Sequence, residues 1–270
     1  MQDAARDSRS TIVGILVIAD RPLTATQLIA LAAPFGLTAS NVKSHLSRMV
    51  ADGELLRAGS TRKSTYQPSL GPSRAVESID ERVAPDRAEP WDSSWITLLA
   101  GPVATRTERD QIRAALWLDG FRPIAPGVLV RPAWPLPWAE LQARAYSEMT
   151  RGSCLRGKFL AFQYSVERLY ELDRLDAVAR RLAARLERRH SGRRGAVRIS
   201  PREAFCARLR CGEDVVRLLH RDPRLPPQLW GARQGLTQLV EAYTRFEERL
   251  AEPAGAFVRS IVEPPVATAG

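Results

Sequence analysis

Residues 24–66 read TATQLIALAAPFGLTASNVKSHLSRMVADGELLRAGSTRKSTY, and this stretch decides the fold. Thr24 is a good helix N-cap, because its hydroxyl can accept from an amide of the first turn. Gln27, three residues on, completes a capping box. Leu28, Leu31 and Ala32 then recur on one helical face. Gly36 after Phe35 stops that helix as a C′ glycine. Thr38 caps a second helix, whose apolar stripe is Val42, Leu46, Met49 and Val50. The opposite face carries Ser40, Lys43, Ser44, Ser47 and Arg48, with no acid before Asp52. Asp52-Gly53 ends it. Residues 54–58 and 64–67 are short extended runs around the polar tip Gly59-Ser60-Thr61-Arg62-Lys63. Helix, turn, helix and hairpin predict a winged helix-turn-helix, with its second helix in the major groove of DNA.

A small helical subdomain with a solvated polar face would share much of this pattern. The composition of the exposed face favours DNA. Ser40, Lys43, Ser44, Ser47 and Arg48 are side chains that read base edges or hold phosphates. Arg62 and Lys63 make the hairpin tip basic, as a wing on phosphates requires. The element also lies near the start of a basic chain.

The 270 residues suffice for two or three domains. A formal net charge of +10 suits a polyanionic partner. Arginine far outnumbers lysine, which a base-composition bias would also produce, so charge alone decides little. Cys154, Cys206 and Cys211 suit a reducing compartment and read as small apolar fillers. No apolar run is long enough to span a bilayer, and MQDAARDSRS lacks the apolar core of a signal peptide. A cytoplasmic protein is expected, without a membrane partner.

Along the chain, residues 11–19 supply a first helix beneath the other two, and 1–70 form the DNA-binding domain. Residues 71–90 read as a linker, with 73–83 a possible short helix. A second unit, 91–165, begins with a strand at 95–100. It continues with a helix over 107–119 capped by Thr107, a second strand at 128–131 and a helix after Pro137. Residues 159–164 (FLAFQY) are the third strand candidate. That order suggests an α+β sandwich with helices on one sheet face. From 166 to 270 the chain reads as helical, over 166–189, 201–219 and 236–251. A short apolar run at 257–262 would dock on the core.

No catalytic set stands out. His45, His190 and His220 lie apart, each beside surface-type residues. No phosphate-cradling glycine loop, nucleophile elbow or paired-cysteine zinc spacing occurs, so neither enzyme activity, cofactor nor metal is expected. The tryptophans at 91, 95, 117, 134, 138 and 230 read first as core or interface residues.

Several stretches, in order, resemble the phenylacetate-degradation repressor family of PaaX-type regulators. Residues 42–49 (VKSHLSRM), followed by Asp52-Gly53-Glu54-Leu55, are similar to its recognition helix. Trp91-Asp92-Ser93-Ser94-Trp95 resembles its Trp-Asp-Gly-x-Trp signature, with Ser93 in place of the glycine. Residues 116–121 (LWLDGF), 125–128 (APGV) and Arg131-Pro132 resemble its middle domain, and Asp222-Pro223-Arg224-Leu225-Pro226 its Asp-Pro-x-Leu-Pro. Lys43 stands where the family usually has Arg, and Leu129 where an aromatic is common. Residues 169–173 (LYELD) lack an expected tryptophan.

The resemblance implies an α+β multidomain chain: an N-terminal winged helix-turn-helix, a ferredoxin-like middle domain and a helical C-terminal domain. It also implies a homodimer that binds double-stranded operator DNA, represses transcription of an aromatic-catabolism operon and is released by an aryl-acyl-CoA. Arg122 and Arg131 are then candidates for CoA phosphates, which suit guanidinium forks. Arg151, Arg156 and Lys158 lie near the same unit. Trp91, Trp95 and Trp117 would border an apolar slot for the acyl group. Two other classes compete: a metal-dependent nuclease of the small ferredoxin-like type, and a basic scaffold with a degenerate winged helix. The nuclease needs an acid at the end of its first strand. Here that strand runs into Ala100-Gly101-Pro102.

Overall fold

The computed structural model describes residues 8–59, 64–69, 90–101, 105–134, 138–191, 199–219 and 221–263. The chain divides into two compact units. The first collects 1–82, 182–217 and 239–270, and the second 83–181 and 218–238. These differ from the four consecutive segments expected, because later helical residues join the N-terminal element.

The first unit opens with α1 (Ser8–Ala19), β1 (Leu23–Thr24), α2 (Ala25–Ala32), a 3-10 turn (Ala33–Phe35) and α3 (Ala39–Ala51), then β2 (Leu55–Ala58) and β3 (Thr65–Pro68). The caps are where the sequence places them. The Thr24 hydroxyl accepts from the Gln27 amide at 3.3 Å, and Gln27 Oε1 accepts from the Thr24 amide at 2.8 Å. The Thr38 hydroxyl accepts from the Asn41 amide at 3.2 Å. Gly36 turns the chain at φ 80°, a left-handed conformation that glycine takes without a Cβ clash. Ile12, Ile15, Leu16, Leu28, Leu31, Val42, Leu46 and Met49 form one core, each at most 2% exposed. The sheet has a third strand that the periodicity did not reveal. The two-residue β1 pairs with β3, giving the order β1-β3-β2.

Residues of α8 (Pro201–Leu219) and α10 (Gly235–Val262) pack on this core. Phe205 meets Phe35 edge-on at 5.9 Å and Phe257 at 5.2 Å. Gly14 leaves room for the Leu209 side chain, which lies where a Cβ would be. The expected end of the last helix at 251 is wrong. α10 runs through Pro253 to Val262, so the apolar run 257–262 is its final turns. Ala254 and Val258, both buried, hold it beyond the proline.

The second unit carries β4 (Trp95–Leu99), α4 (Arg106–Leu118), β5 (Arg122–Ala125), β6 (Val128–Pro132), α5 (Trp138–Met149), β7 (Ser153–Gly157) and α6 (Val166–Leu169). The sheet is antiparallel, with order β5-β6-β4-β7. Alternation along β4 sorts the core. Ile96 and Leu98 face Leu116, Phe121, Ala143 and Tyr146, whereas Trp95 faces Val130, Tyr170 and Leu225.

Here the sequence reading needs correction. The cap of α4 is Thr105, not Thr107, because Thr105 and Glu108 make the reciprocal capping box. The strand beside β4 is 153–157, not 159–164. Residues 159–164 have no regular structure, and Phe162 stacks on Trp95 at 4.5 Å instead. β5 was not expected; it lies at a sheet edge, where Pro123, lacking an N–H, is tolerated. The helix expected over 166–189 breaks at Tyr170-Glu171, where Glu171 has φ 51°, and resumes as α7 (Leu172–Ser191). A short helix, α9 (Pro227–Trp230), follows α8. The helix expected at 73–83 lies outside the described residues.

Ser93 has φ 66°, a left-handed conformation. The neighbours hold it there. Asp92 Oδ1 accepts from the Ser94 amide at 2.9 Å and the Ser94 hydroxyl at 2.5 Å. Arg156 donates to the other oxygen at 2.8 Å. The Ser94 hydroxyl, its amide and then Arg156 hold the Asp92 carboxyl down to about 2. Glycine would take this φ without the Cβ penalty. Ser93→Gly is therefore expected to stabilise the unit by about 1 kcal/mol, read as a higher urea midpoint. A lower midpoint would show that the Ser93 side chain makes a net favourable contribution.

Candidate nucleic-acid interface

α3 is amphipathic in the way a groove-reading helix must be. Val42, Leu46 and Met49 are at most 1% exposed. Ser40, Lys43, Ser44, Ser47 and Arg48 are all exposed on the other side. They form a fan, with Lys43 and Arg48 at its edges, about 140° apart at 100° per residue. Arg48 donates to the Ser44 hydroxyl at 3.0 Å, one turn back. His45 is half-buried beside the fan.

The electrostatics favour an anion. The first turn of α3 has no acid. At its far end Asp52 and Glu54 are both bound by Arg9 of α1, Glu54 at 3.3 Å. Among the described residues no carboxylate pairs with Lys43, Arg48 or Arg57. Arg57 is exposed on β2, directly opposite Tyr66 of β3, and donates to the Ser64 hydroxyl at 3.0 Å. It was not among the residues expected at the interface; the signal was its place two residues beyond the buried Leu55, on the same strand face. Arg62 and Lys63 of the hairpin tip lie outside the described residues.

The five effector candidates do not line one surface. Trp95 is 5% exposed and packs in the sheet core. Trp91 is half-buried against it, edge-on at 5.9 Å, and donates to the Ser94 carbonyl at 2.7 Å. Trp117 is 44% exposed. The buried Arg122 guanidinium lies 3.6 Å from its ring and 5.1 Å from that of Tyr170, and donates to the carbonyls of Trp117 and Phe121. Arg131 is fully buried. Its fork donates to three backbone carbonyls, Asp119 at 2.6 Å, Trp134 at 2.8 Å and Pro132 at 3.2 Å. Burial pushes both arginines down to about 10. In this conformation these two guanidiniums tie backbone together, rather than face solvent as phosphate ligands would.

Residues 7–69 match the family described as PaaX-like protein, and residues 170–260 match the PaaX-like protein C-terminal domain. Together the two stretches span more than half of the chain. The chain belongs to the PaaX-like family. Membership points to transcriptional regulation with DNA as partner. Comparison with curated proteins gives no match. A solved structure is similar, that of the uncharacterized protein Rv0674 from Mycobacterium tuberculosis. It is 25% identical, the alignment covers 92% of this chain and 97% of that one, and the TM-score is 0.58.

The match to PaaX-like protein spans α1 to β3, including the whole exposed face of α3. The sheet holding Arg122 and Arg131 lies between the two matched stretches, so their geometry must be judged by itself. Arg131→Ala removes a buried guanidinium that donates to three backbone carbonyls, and leaves a cavity. It is expected to destabilise the protein by about 2–4 kcal/mol in urea unfolding. An unchanged midpoint would mean that the guanidinium is dispensable to the fold and available for a ligand.

Proposed function

We propose that this PaaX-like protein is a repressor that reads operator DNA through a winged helix-turn-helix, as a cytoplasmic homodimer, and that an aryl-acyl-CoA releases it. The observation that carries the DNA contact is the acid-free exposed fan of α3, opposite a fully buried stripe. On this reading α3 enters the major groove with Ser40, Lys43, Ser44, Ser47 and Arg48, and the tip residues Arg62 and Lys63 touch backbone. The strand–helix–strand–strand–helix–strand order of the second unit, with sheet order β5-β6-β4-β7, supports a ferredoxin-like middle domain. Free cysteines support a reducing compartment, and among the described residues no helix is long and apolar enough to cross a membrane.

Arg48 is the base reader in this scheme. Arg48→Ala should cost about 1–3 kcal/mol on the best site and relax preference at one base pair. The measurement is selection of preferred duplexes by wild type and variant, followed by anisotropy titration. Identical preferences would reject the groove assignment.

A released repressor needs an effector that binds its free and DNA-bound states unequally. Exposed Trp117, stacked on Arg122, supports an aromatic acyl group as ligand, and the exposed Arg151 and Lys158 are cations within reach of solvent for CoA phosphates. Titration of the protein–DNA complex with phenylacetyl-CoA should release DNA, while phenylacetate should act far more weakly. Release by the free acid alone would replace the effector class. No observation favours the nuclease. β4 ends at Leu99 and the chain runs on into Ala100, and among the described residues no group of three or more His, Cys, Asp or Glu is placed to hold a metal ion.

A further inference from the structure

Between α3 and the β2–β3 hairpin the surface is hollowed into a cavity of about 140 Å³. The exposed Lys43, Ser47 and Arg57 form its mouth, and Leu46, Val50 and Tyr66 its base. This follows from two periodicities. Lys43, Leu46, Ser47 and Val50 are spaced i, i+3, i+4, i+7, so they make the edge of α3 that faces the hairpin. Arg57 and Tyr66 are directly opposed in the β2–β3 register, so their side chains leave the same face of the hairpin. The hollow gathers two cations, two hydroxyls and no carboxylate. Such a set suits one singly charged phosphodiester.

The position fits as well. When a helix occupies the major groove and a wing approaches the neighbouring groove, one sugar–phosphate strand must pass between them. We propose that the hollow seats a backbone phosphate of that strand, held by Lys43, Arg57, Ser47 and Tyr66. The proposal rests on the DNA-binding function above. It adds Arg57 and Tyr66 to the interface and moves Lys43 and Ser47 from base reading to phosphate holding. The far side of the fan, Ser44 and Arg48, keeps the base edges. Phosphate contact is blind to sequence, whereas base contact is not, so the two assignments have opposite signatures.

The test uses the full chain, its selected duplex and a random-sequence duplex, over a range of salt. Arg57→Ala and Lys43→Ala should each weaken binding to both duplexes by the same factor. Together the two changes should lower the slope of log K against log salt by about 0.9, the share of one phosphate, and each alone by part of that. Arg57→Lys, which keeps the charge, should retain the wild-type slope. Neutral methylphosphonates placed one at a time along the selected duplex should weaken wild type at one position between the grooves, and Arg57→Ala should be less sensitive there than wild type. Circular dichroism checks that the exposed substitutions leave the fold intact. If Arg57→Ala keeps the wild-type slope while Arg48→Ala loses base preference, the DNA-binding function stands and the phosphate seat is overturned. If Lys43→Ala changes preference at one base pair without changing the slope, Lys43 reads a base and the seat is again overturned. If wild type binds no duplex, the DNA-binding function fails first and the seat with it.

Discussion

Burial of Val42, Leu46 and Met49 is the constraint on which the exposed face of α3 depends. A helix has one rotational setting about its axis, and these side chains, each at most 1% exposed, fix it against α1 and α2. Burying such side chains is worth about 1.5–3 kcal/mol each, far more than any hydrogen bond on the wet side. The serines and cations are therefore aimed outward by the core and not by their own contacts. A change of apolar pattern by one residue would rotate the fan about 100° and bury Lys43 or Arg48 without a partner. That coupling explains why α3 can carry so little stabilising structure on its exposed face.

The same logic explains the treatment of nearby acids. Asp52 and Glu54 follow the helix at once, where their field would repel phosphates. Arg9 binds both from α1. Exposed pairs of this kind add little to stability. Their value here is electrostatic: a cation borrowed from the first helix offsets both acids, while Lys43, Arg48 and Arg57, each without a carboxylate partner among the described residues, present their charge to solvent.

How much was legible in the sequence depends on how local the determinant is. Thr24 with Gln27, Thr38 and Gly36 act within a turn of their own position, and each lies where the sequence places it. The stripe of α3 needed only its spacing. The failures are non-local. FLAFQY has strand composition, yet its Phe162 covers Trp95 from outside the ladder while the plainer SCLRG takes the edge of the sheet. Apolar content pointed to FLAFQY as a core stretch, and nothing local pointed to SCLRG as the one that gives its backbone to the sheet. Arg131 fails for the same reason. An arginine looks like a surface ligand until the carbonyls of Asp119, Pro132 and Trp134 are seen to converge on it. Pro253 is the converse case: a local helix breaker overruled by packing on both sides of it.

Within the first unit the element from α1 to β3 is a packed layer and not a bead on a linker. Phe35, in the turn between α2 and α3, touches Phe205 of α8, which touches Phe257 of α10. Arg21 pairs with Glu263 at 2.5 Å, and Gln27 reaches the Val262 carbonyl at 3.4 Å. The end of α10 therefore sits on the residues that lead into and form α2. A flexible tether would transmit no displacement to α3. A packed aromatic row does, because close-packed side chains shift between discrete arrangements and do not yield gradually. The row Phe35–Phe205–Phe257, with Arg21–Glu263 and Gln27–Val262, thus joins α8 and α10 to the residues around α2 and to the turn before α3.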